Sequence, residues 1–307
     1  MMIIGPEAEE KLDWIALSDA IEAGHHMPRA SIDDTFLYRG DDTLLSRAAW
    51  IDGLGQLVKT ATIFPGNAEL GKPVIHGGVC LFSDKDGTLE AIVDFHLLTK
   101  WKTAGDSLLA ARKLARPDSR RILLVGAGNV AHSLRQAYAA AFPGAEFTIW
   151  NRSLAKAAAF AAKYPGMAVA RDLEEAVAGA DIIGSGTMTT KPILQGKWLK
   201  PGQHLDLIGA YRPDMREADT DCLRRSRVFV DSRATTIGHI GELKIPIEDG
   251  VFFESDVVAE FYDHDLFRRQ SEAEITLCKN GGGAHLDLMV ARYILDAVRG
   301  ESAGARG

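Results

Sequence analysis

The chain has 307 residues, of which 46% are hydrophobic and 25% charged, a composition typical of a soluble globular protein with one large or two smaller domains. Its formal net charge of −7 argues against a broad nucleic-acid-binding surface. The cysteines, Cys80, Cys222 and Cys278, form no CxxC pair and no cluster with metal-ligand spacing. The sequence therefore predicts a reduced, cytoplasmic protein without a metal site, a signal peptide or a membrane span.

The first 110 residues mix helical and strand patterns. An amphipathic helix is predicted over 8–26. Strands are predicted over 35–40, 48–64, 74–83 and 89–95, between Gly, Asp and Pro turns. The Asp86-Gly87 pair predicts a hairpin turn because it tolerates positive φ. A second helix is predicted over 98–116, ending before Pro117.

From Arg121 onward, buried strands alternate with helices, which indicates crossover connections and a parallel sheet. A last long helix is predicted over about 284–299 and returns to the N-terminal part. The predicted fold class is α/β, with a Rossmann-type dinucleotide-binding domain inserted between the two parts of an α+β domain. The predicted boundaries are 116–283 for the inserted domain and 1–115 with 284–307 for the other.

A phosphate-binding loop is predicted in RILLVGAGNVAHS, where Gly126, Gly128 and Ala131 fit the pattern G-x-G-x-x-G/A. The first glycine permits a tight turn, and the second allows the backbone to approach a diphosphate. A small third residue lets helix and strand pack closely. Asn129 and Val130 complete the predicted contact, since the helix N-terminus faces the phosphates. The flanking strand and helix distinguish this match from an ordinary glycine-rich turn.

The next strand ends in Asn151-Arg152, where NAD enzymes usually place a carboxylate on the ribose. Asn151 removes the repulsion that a carboxylate would exert on a 2′-phosphate, and Arg152 supplies a planar cation suited to it. Ser153 and Lys156 extend this predicted pocket, and Thr187 is a further predicted cofactor contact. The sequence thus predicts NADPH as cofactor, with NADH weaker; the alternative is a solvated helix start with an incidental arginine.

Cations lie among apolar residues in the first part of the chain: Arg29 in HHMPRAS, Lys59 in LVKTATIFPGN and Lys102 in TKWKTAGDS. Each taken alone is compatible with a surface charge. Lys59, however, lies in an apolar strand. Lys102 precedes a small-residue segment that suits an anion near backbone N–H groups.

Together these segments resemble the ornithine cyclodeaminase/μ-crystallin family, and within it the Δ1-pyrroline-2-carboxylate (ketimine) reductases. The resemblance runs in family order through VKTATIFPGN, LLTKWKTAGDSLLAARKLARPDS, VGAGNVAHS, IWNRS, KPGQHLDLIGAYRPDMREAD and EITLCKNGGGAHLDLMVA. It implies a homodimer in which both chain ends build a substrate-binding and dimerisation domain around the nucleotide domain. It also implies that Arg29, Lys59 and Lys102 bind the substrate carboxylate and line the reaction site.

Two positions depart from the family pattern. Lys102 stands where the family usually has arginine, so it offers a point charge rather than a bidentate fork. Tyr211 stands where ornithine cyclodeaminases and related alanine dehydrogenases have a catalytic aspartate. Asp214, nearby, is interpreted as a turn or cap residue. The missing aspartate favours reduction of a cyclic imino acid over cyclodeamination.

The expected reaction is hydride addition to a protonated cyclic ketimine, giving proline from the five-membered ring or pipecolate from the six-membered ring. His285 and Asp287, in the glycine-rich start of the last helix, are open between a role in the site and one in packing. The alternatives are an ornithine cyclodeaminase or alanine dehydrogenase-like enzyme and a non-catalytic NADPH-binding protein. The expected partner is a small cyclic imino acid, with no nucleic acid and no membrane.

Overall fold

The computed structural model describes residues 1–301, which divide into two compact units. One unit comprises Met1–Lys102 and the C-terminal segment that begins at Gly283, and the other comprises Thr103–Gly282. The helix α2 (Phe95–Leu114) runs across the first boundary. The predicted α/β class, with a parallel-sheet unit inserted between two chain segments, is confirmed.

The first unit contains a mostly antiparallel sheet in the order β1-β6-β5-β4-β3-β2, with β1 parallel to β6. Its strands are β1 (Met2–Ile4), β2 (Ser31–Arg39), β3 (Asp42–Ile51), β4 (Gly55–Ile63), β5 (Ile75–Phe82) and β6 (Leu89–Asp94). Helices α1 (Trp14–His25) and α9 (Ala284–Arg299) pack against each other, and α9 also contacts β3 and β4. Every residue of α9 from Ala284 to Asp296 is buried, including the polar side chains of His285, Asp287 and Arg292.

Two sequence predictions in this unit were wrong in detail. The single strand predicted over 48–64 is two strands joined at Asp52–Leu54, where Gly53 adopts a φ of +85°. The helix predicted over 8–26 is a 3-10 helix, Pro6–Lys11, followed by α1. The side chain of Asp13 starts α1 by accepting hydrogen bonds from the Ile15 and Ala16 N–H groups.

The second unit contains a parallel sheet in the order β13-β12-β14-β11-β10-β7-β8-β9. Its strands are β7 (Arg121–Val125), β8 (Glu146–Trp150), β9 (Ala168–Val169), β10 (Ile182–Ser185), β11 (His204–Leu207), β12 (Arg227–Val230), β13 (Val257–Ala259) and β14 (Thr276–Lys279). Its helices after α2 are α3 (Asn129–Ala141), α4 (Leu154–Ala161), α5 (Leu173–Gly179), α6 (Thr220–Arg225), α7 (Arg233–Thr236) and α8 (Gly241–Glu248). The central strands are buried on both faces, which explains their continuous apolar runs.

The order of these strands reverses at β7, which pairs with β8 on one side and β10 on the other. Such a switch point, at the carboxyl ends of parallel strands, is where open α/β sheets bind ligands. The Gly126–Ala131 loop follows β7 directly, so the chain places the predicted phosphate loop there. Within residues 1–301, every helix is too short or too polar to cross a membrane.

Candidate active site

A buried ion pair lies in the first unit, between a lysine of the sheet and an aspartate of the C-terminal helix. Lys59 Nζ donates to Asp287 Oδ1 at 2.9 Å and to Thr99 Oγ1 at 3.1 Å. The two charged side chains are 8% and 0% exposed, and Nζ lies 4.8 Å from the centroid of the Phe95 ring. The sequence had singled out Lys59 as a site residue, and the structure adds Asp287 as the carboxylate that receives its hydrogen bond.

Burial and charge act on the pKa values of both members of the pair. Burial lowers the pKa of Lys59 below 10.5, and Lys102 and Arg47 lower it further, whereas Asp287 raises it. Burial alone would raise the pKa of Asp287, but Lys59, Lys102 and Arg47 together hold it below 3.8. Asp287 therefore stays ionised, and Lys59 releases its proton more readily than an ordinary lysine. A perturbed lysine beside a buried carboxylate suits acid–base chemistry.

Arg47, which the sequence did not reveal as a site residue, also faces the pair. It lies in β3 directly opposite Lys59, so both side chains project from the same face of the sheet. Its Nη2 lies 2.5 Å from Asp34 Oδ2, and its Nη1 lies 3.7 Å from Asp287 Oδ2. We call Arg47, Lys59, Lys102 and Asp287 the charged cluster. In it, three cations surround one fully buried carboxylate.

The other predicted residues of this unit lie in different surroundings. Lys102 is half-buried on α2 and close enough to lower the pKa of Lys59 and Asp287. Arg29 lies at an exposed position between α1 and β2, and its predicted role stays a prediction. His285 is buried with its ring edge-on to His25, 5.6 Å between centroids. Burial, then the charges of His25 and Lys102, lower the pKa of His285 well below 6.5, so this ring is uncharged at neutral pH.

The glycine loop of the second unit has the geometry of a phosphate cradle. Gly126 has a φ of +101°, and a Cβ there would lie 3.1 Å from Gly186 O, so only glycine suits the position. Gly128 is the N-cap of α3. Because glycine has no side chain, no capping side chain among the described residues accepts a hydrogen bond from the first N–H groups of α3. A Cβ built on Gly128 would meet no described atom within 4 Å. The first turn of α3 therefore offers donors and space, and these residues fit a dinucleotide diphosphate.

At the end of β8, the predicted 2′-phosphate residues form a turn into α4. Asn151 Nδ2 donates to the Ser153 carbonyl at 3.1 Å, and Ser153 Oγ accepts from the Lys156 N–H at 3.4 Å. These two side chains thus shape the turn itself. Arg152 and Lys156 are exposed beside it, with no carboxylate in the segment 151–156.

A buried glutamate that the sequence analysis did not identify fixes the loops after β10 and β11. Glu217 Oε1 accepts from Ser185 Oγ at 2.6 Å and from both the N–H and the hydroxyl of Thr187 at 2.8 Å. Its Oε2 accepts from the N–H groups of Gly209 and Ala210 at 2.7 and 3.0 Å. The predicted cofactor residue Thr187 is therefore held in place by Glu217, at the ligand-binding edge of the sheet.

Two further buried groups extend this network. Glu242 accepts from the N–H groups of Glu217 and Ala218 at 2.7 and 2.9 Å. Burial, and then the neighbouring Glu217, raise the pKa of Glu242 above its usual range. Lys279, which is 0% exposed, donates from Nζ to three carbonyl oxygens at 2.8 Å, those of Leu207, Ala210 and Asn280. The loop after β11 is thus held from both sides.

Comparison with known proteins places the chain in a family. Residues 52–302 match the model of the ornithine cyclodeaminase/mu-crystallin family. The chain belongs to that family. A Δ1-pyrroline-2-carboxylate reductase of Paracoccus denitrificans is 48% identical over 302 residues, 96% of each chain. The ketimine reductase mu-crystallin of Mus musculus is 33% identical over 78% of this chain and 75% of its own.

A solved structure shares the fold of the ornithine cyclodeaminase/mu-crystallin chain described here. It is that of Thermococcus litoralis Δ1-pyrroline-2-carboxylate reductase in complex with NADH and L-proline. The TM-score is 0.89 over 98% of both chains, at 23% sequence identity. The family prediction made from the sequence is confirmed, and so is the fold that the resemblance implied.

Tyr211 and Asp214 both lie in the loop that follows β11. Tyr211 is 58% exposed just after β11. Asp214 accepts two hydrogen bonds from Arg212, from Nε at 2.8 Å and from Nη2 at 2.7 Å, and both side chains are exposed. The nearest carboxylate in sequence to Tyr211 is therefore paired with Arg212 of its own loop.

Proposed function

We propose that this protein reduces cyclic imino acids with NADPH, converting Δ1-pyrroline-2-carboxylate to L-proline and Δ1-piperideine-2-carboxylate to L-pipecolate. The observation that carries the proposal is the charged cluster, in which Lys59 is paired with Asp287 and flanked by further cations. The 48% identity with a Paracoccus denitrificans Δ1-pyrroline-2-carboxylate reductase over nearly the whole chain supports it.

The substrate has two features that the cluster complements. Its carboxylate needs a cation, and we assign Lys102 and Arg29 to it, with Lys59 beside the reacting ring. Its imine nitrogen must carry a proton, because protonation makes the adjacent carbon electrophilic. Lys59 holds a proton against a lowered pKa and is the candidate donor, and Asp287 stabilises the positive charge nearby. When bound, the reduced nicotinamide supplies the hydride that this carbon accepts.

We assign the cofactor to the loop after β7. Gly126, Gly128, Asn129, Val130 and Ala131 would hold the diphosphate at the start of α3, where the donors have no side-chain acceptor among the described residues.

The preference for NADPH over NADH remains a proposal based on the turn after β8. The exposed guanidinium of Arg152 and the ammonium of Lys156 suit a 2′-phosphate, and Asn151 and Ser153 set the turn that presents them. We place Thr187, held by Glu217, on the nicotinamide side of the site.

A homodimer formed through the sheet of the first unit is part of the proposal. All nine residues of β2 are exposed, and large apolar side chains lie on it and on its neighbour, with Phe36 47%, Leu37 60%, Tyr38 72% and Trp50 53% exposed. Apolar patches of this kind mark protein interfaces, and a second copy is the occupant that the family resemblance implies. Light scattering after size exclusion should give twice the chain mass, and Leu37→Glu should reduce the measured mass.

We further propose a cytoplasmic role in proline metabolism, within hydroxyproline degradation.

The reaction is tested by following NADPH absorbance with Δ1-pyrroline-2-carboxylate, Δ1-piperideine-2-carboxylate, ornithine and alanine as substrates. We expect turnover of the cyclic imines and little release of ammonia from ornithine. Lys59→Met should lower kcat/KM by at least about a hundredfold, the range of a positioned acid–base group, while NADPH affinity stays near wild type. Ornithine-dependent ammonia release with catalytic NAD alone would favour cyclodeamination and overturn the proposal.

A further inference from the structure

We propose that Arg47 is a substrate-binding residue whose guanidinium holds the substrate carboxylate, in the role that the arginine of the family pattern fills at position 102. This inference rests on the proposed function, because it names a group of the same site. It concerns specificity, since a guanidinium can hold a carboxylate by two parallel hydrogen bonds and an ammonium cannot.

The strand register places Arg47 in the site. Asp34, Arg47 and Lys59 occupy one row across β2, β3 and β4, because Arg47 pairs with Asp34 on one side and Lys59 on the other. Two cations directly opposite each other in neighbouring strands are unfavourable unless an anion lies between them. Asp287, from α9, is that anion, with its Oδ1 on Lys59 and its Oδ2 3.7 Å from Arg47.

The protein leaves Arg47 with hydrogen-bonding capacity to spare. Within residues 1–301, Arg47 Nε is buried without a hydrogen-bond partner, and Asp287 Oδ2 is likewise buried without one. The distance of 3.7 Å between Arg47 Nη1 and Asp287 Oδ2 suits an ion pair but exceeds a hydrogen bond. A donor and an acceptor therefore both lack partners in one cluster. A cyclic iminium carboxylate carries the complementary pair, a carboxylate to accept and a ring N–H to donate.

The excess of positive charge in the charged cluster also favours binding of a carboxylate. The positive charges of Arg47, Lys59 and Lys102 each lower the pKa of Asp287. Arg47 and Lys59 form ion pairs with it, whereas Lys102 makes no ion pair within the described chain. One aspartate cannot neutralise three cations, and Asp34, whose side chain is 34% exposed, is partly screened by water. The cluster is thus short of negative charge, which a bound carboxylate supplies.

The test is a set of variants at positions 47 and 102: Arg47→Met, Arg47→Lys, Lys102→Arg and Arg47→Met combined with Lys102→Arg. Steady-state kinetics on Δ1-pyrroline-2-carboxylate are paired with binding of pyrrole-2-carboxylate, a planar analogue that accepts no hydride. Arg47→Met should raise KM and the analogue's Kd about ten- to a hundredfold, the range of a charge-assisted hydrogen bond. Arg47→Lys should recover only part of the loss. Arg224→Met, which removes an arginine of α6 whose side chain is 54% exposed, is the matched control and should change neither constant.

The double variant separates substrate binding from a structural role. If Arg47 supplies the fork, Lys102→Arg should restore at least tenfold of the affinity lost in Arg47→Met. If Arg47 only balances Asp287, Arg47→Lys should behave as wild type and Lys102→Arg should restore nothing, which would overturn the inference. An unchanged KM in folded Arg47→Met would overturn it as well.

Failure of the proposed function is distinguishable from failure of this inference. Wild-type protein that reduces no cyclic imine but binds pyrrole-2-carboxylate through Arg47 would remove the proposed reaction and keep the Arg47 assignment. Wild-type protein that binds neither that analogue nor L-proline would remove both.

Discussion

Replacing Asp287 by asparagine should destabilise the protein more than replacing Lys59 by methionine, although the two side chains form one ion pair. Asp287 is the buried anion shared by Lys59, Arg47 and Lys102, so Asp287→Asn leaves three cations with no buried counter-charge. Lys59→Met removes one cation of three, and Asp287 still faces Arg47 at 3.7 Å. The pair is therefore asymmetric in its contribution to stability.

The loss of stability in Asp287→Asn is limited by the cost of deprotonating Lys59. Removing one partner of a buried ion pair costs about 3–5 kcal/mol. Lys59 can instead lose its proton, which at pH 7 costs about 1.4 kcal/mol for each pH unit below its ordinary pKa of 10.5, or about 5 kcal/mol. At pH 9 the same escape costs only about 2 kcal/mol. We expect Asp287→Asn to cost about 3–5 kcal/mol at pH 7 and about 2 kcal/mol at pH 9. Lys59→Met should cost about 1–3 kcal/mol at pH 7, because Asp287 loses the hydrogen bond from Lys59 but keeps Arg47 at 3.7 Å.

The sign of the pH dependence follows from the protons bound. In Asp287→Asn, the folded pKa of Lys59 falls further below its unfolded value of 10.5, because the charge that raised it is gone. The unfolded chain then binds more protons between those two values, so stability rises with pH across that window. For the same reason, the alkaline limb of the kcat/KM profile should move to lower pH in this variant, since Lys59 must be protonated to act.

Urea denaturation of wild type, both single variants and the double variant, at pH 7 and pH 9, measures these quantities. The double variant should be more stable than the sum of the two single losses predicts, by about 1–3 kcal/mol of coupling. Equal losses for the two single variants, or a penalty for Asp287→Asn that does not shrink at pH 9, would refute the shared-anion account. Ser83→Ala, in the turn between β5 and β6, serves as a control remote from the cluster.

Three other changes give separate outcomes. Arg152→Ala should weaken NADPH binding roughly ten- to a hundredfold and NADH binding little, because only NADPH carries a 2′-phosphate to contact the guanidinium; equal losses would remove Arg152 from that role. Gly128→Ala should leave the melting temperature near wild type, since its Cβ meets open space in the described structure, yet abolish cofactor binding measured by fluorescence. His204→Gln should make the free energy of unfolding fall less steeply as the pH is lowered. Burial lowers the pKa of His204 to about 3, so below pH 6.5 the unfolded chain binds a proton that the folded chain does not. This difference costs wild type roughly 2 kcal/mol of stability by pH 5.

These outcomes have internal controls. Lys163→Ala, an exposed cation beyond α4, should not discriminate between NADPH and NADH as Arg152→Ala does. Retained cofactor binding in Gly128→Ala would show that the diphosphate lies elsewhere. For His204, an unfolding free energy that falls equally with pH in wild type and His204→Gln would show that other groups govern the acid limb.

Much of the fold follows from periodicity, and the elements that were mispredicted show the limit of that reasoning. The alternation of strands and helices after Arg121 correctly predicted the parallel sheet, because strands buried on both faces are continuous apolar runs. In contrast, the turn at Asp52–Leu54 was missed although Asp52-Gly53 is the same pair that predicted the turn at Asp86-Gly87, because apolar residues continue on both sides of it. The start of α1 was misplaced because the acidic run before Asp13 has helical composition but not a helical cap.

Sequence reasoning identified only part of the candidate site. Lys59 stood out because a cation in an apolar strand is rare, and burial confirms that reading of its surroundings. Arg47 did not, because SRAAW is what an exposed edge strand also looks like, and only the register with Lys59 reveals the shared face. Glu217 lies in an acidic loop segment, and its hydrogen bonds to residues about 30 positions earlier depend on tertiary contacts that no local pattern encodes. Interactions distant in sequence are where single-chain reasoning loses information.

The division of the first unit between the two chain ends sets the order of events during synthesis. The strands that carry Arg47 and Lys59 leave the ribosome first, and Asp287 follows about 185 residues after Lys102. At usual elongation rates this delay is on the order of 10–40 s. Throughout it, two cations that will be buried lack their carboxylate, and the sheet lacks helix α9. The inserted unit, Thr103–Gly282, is complete before that helix exists. The sheet of the first unit therefore stays uncovered by α9 until the segment that begins at Gly283 has been synthesised.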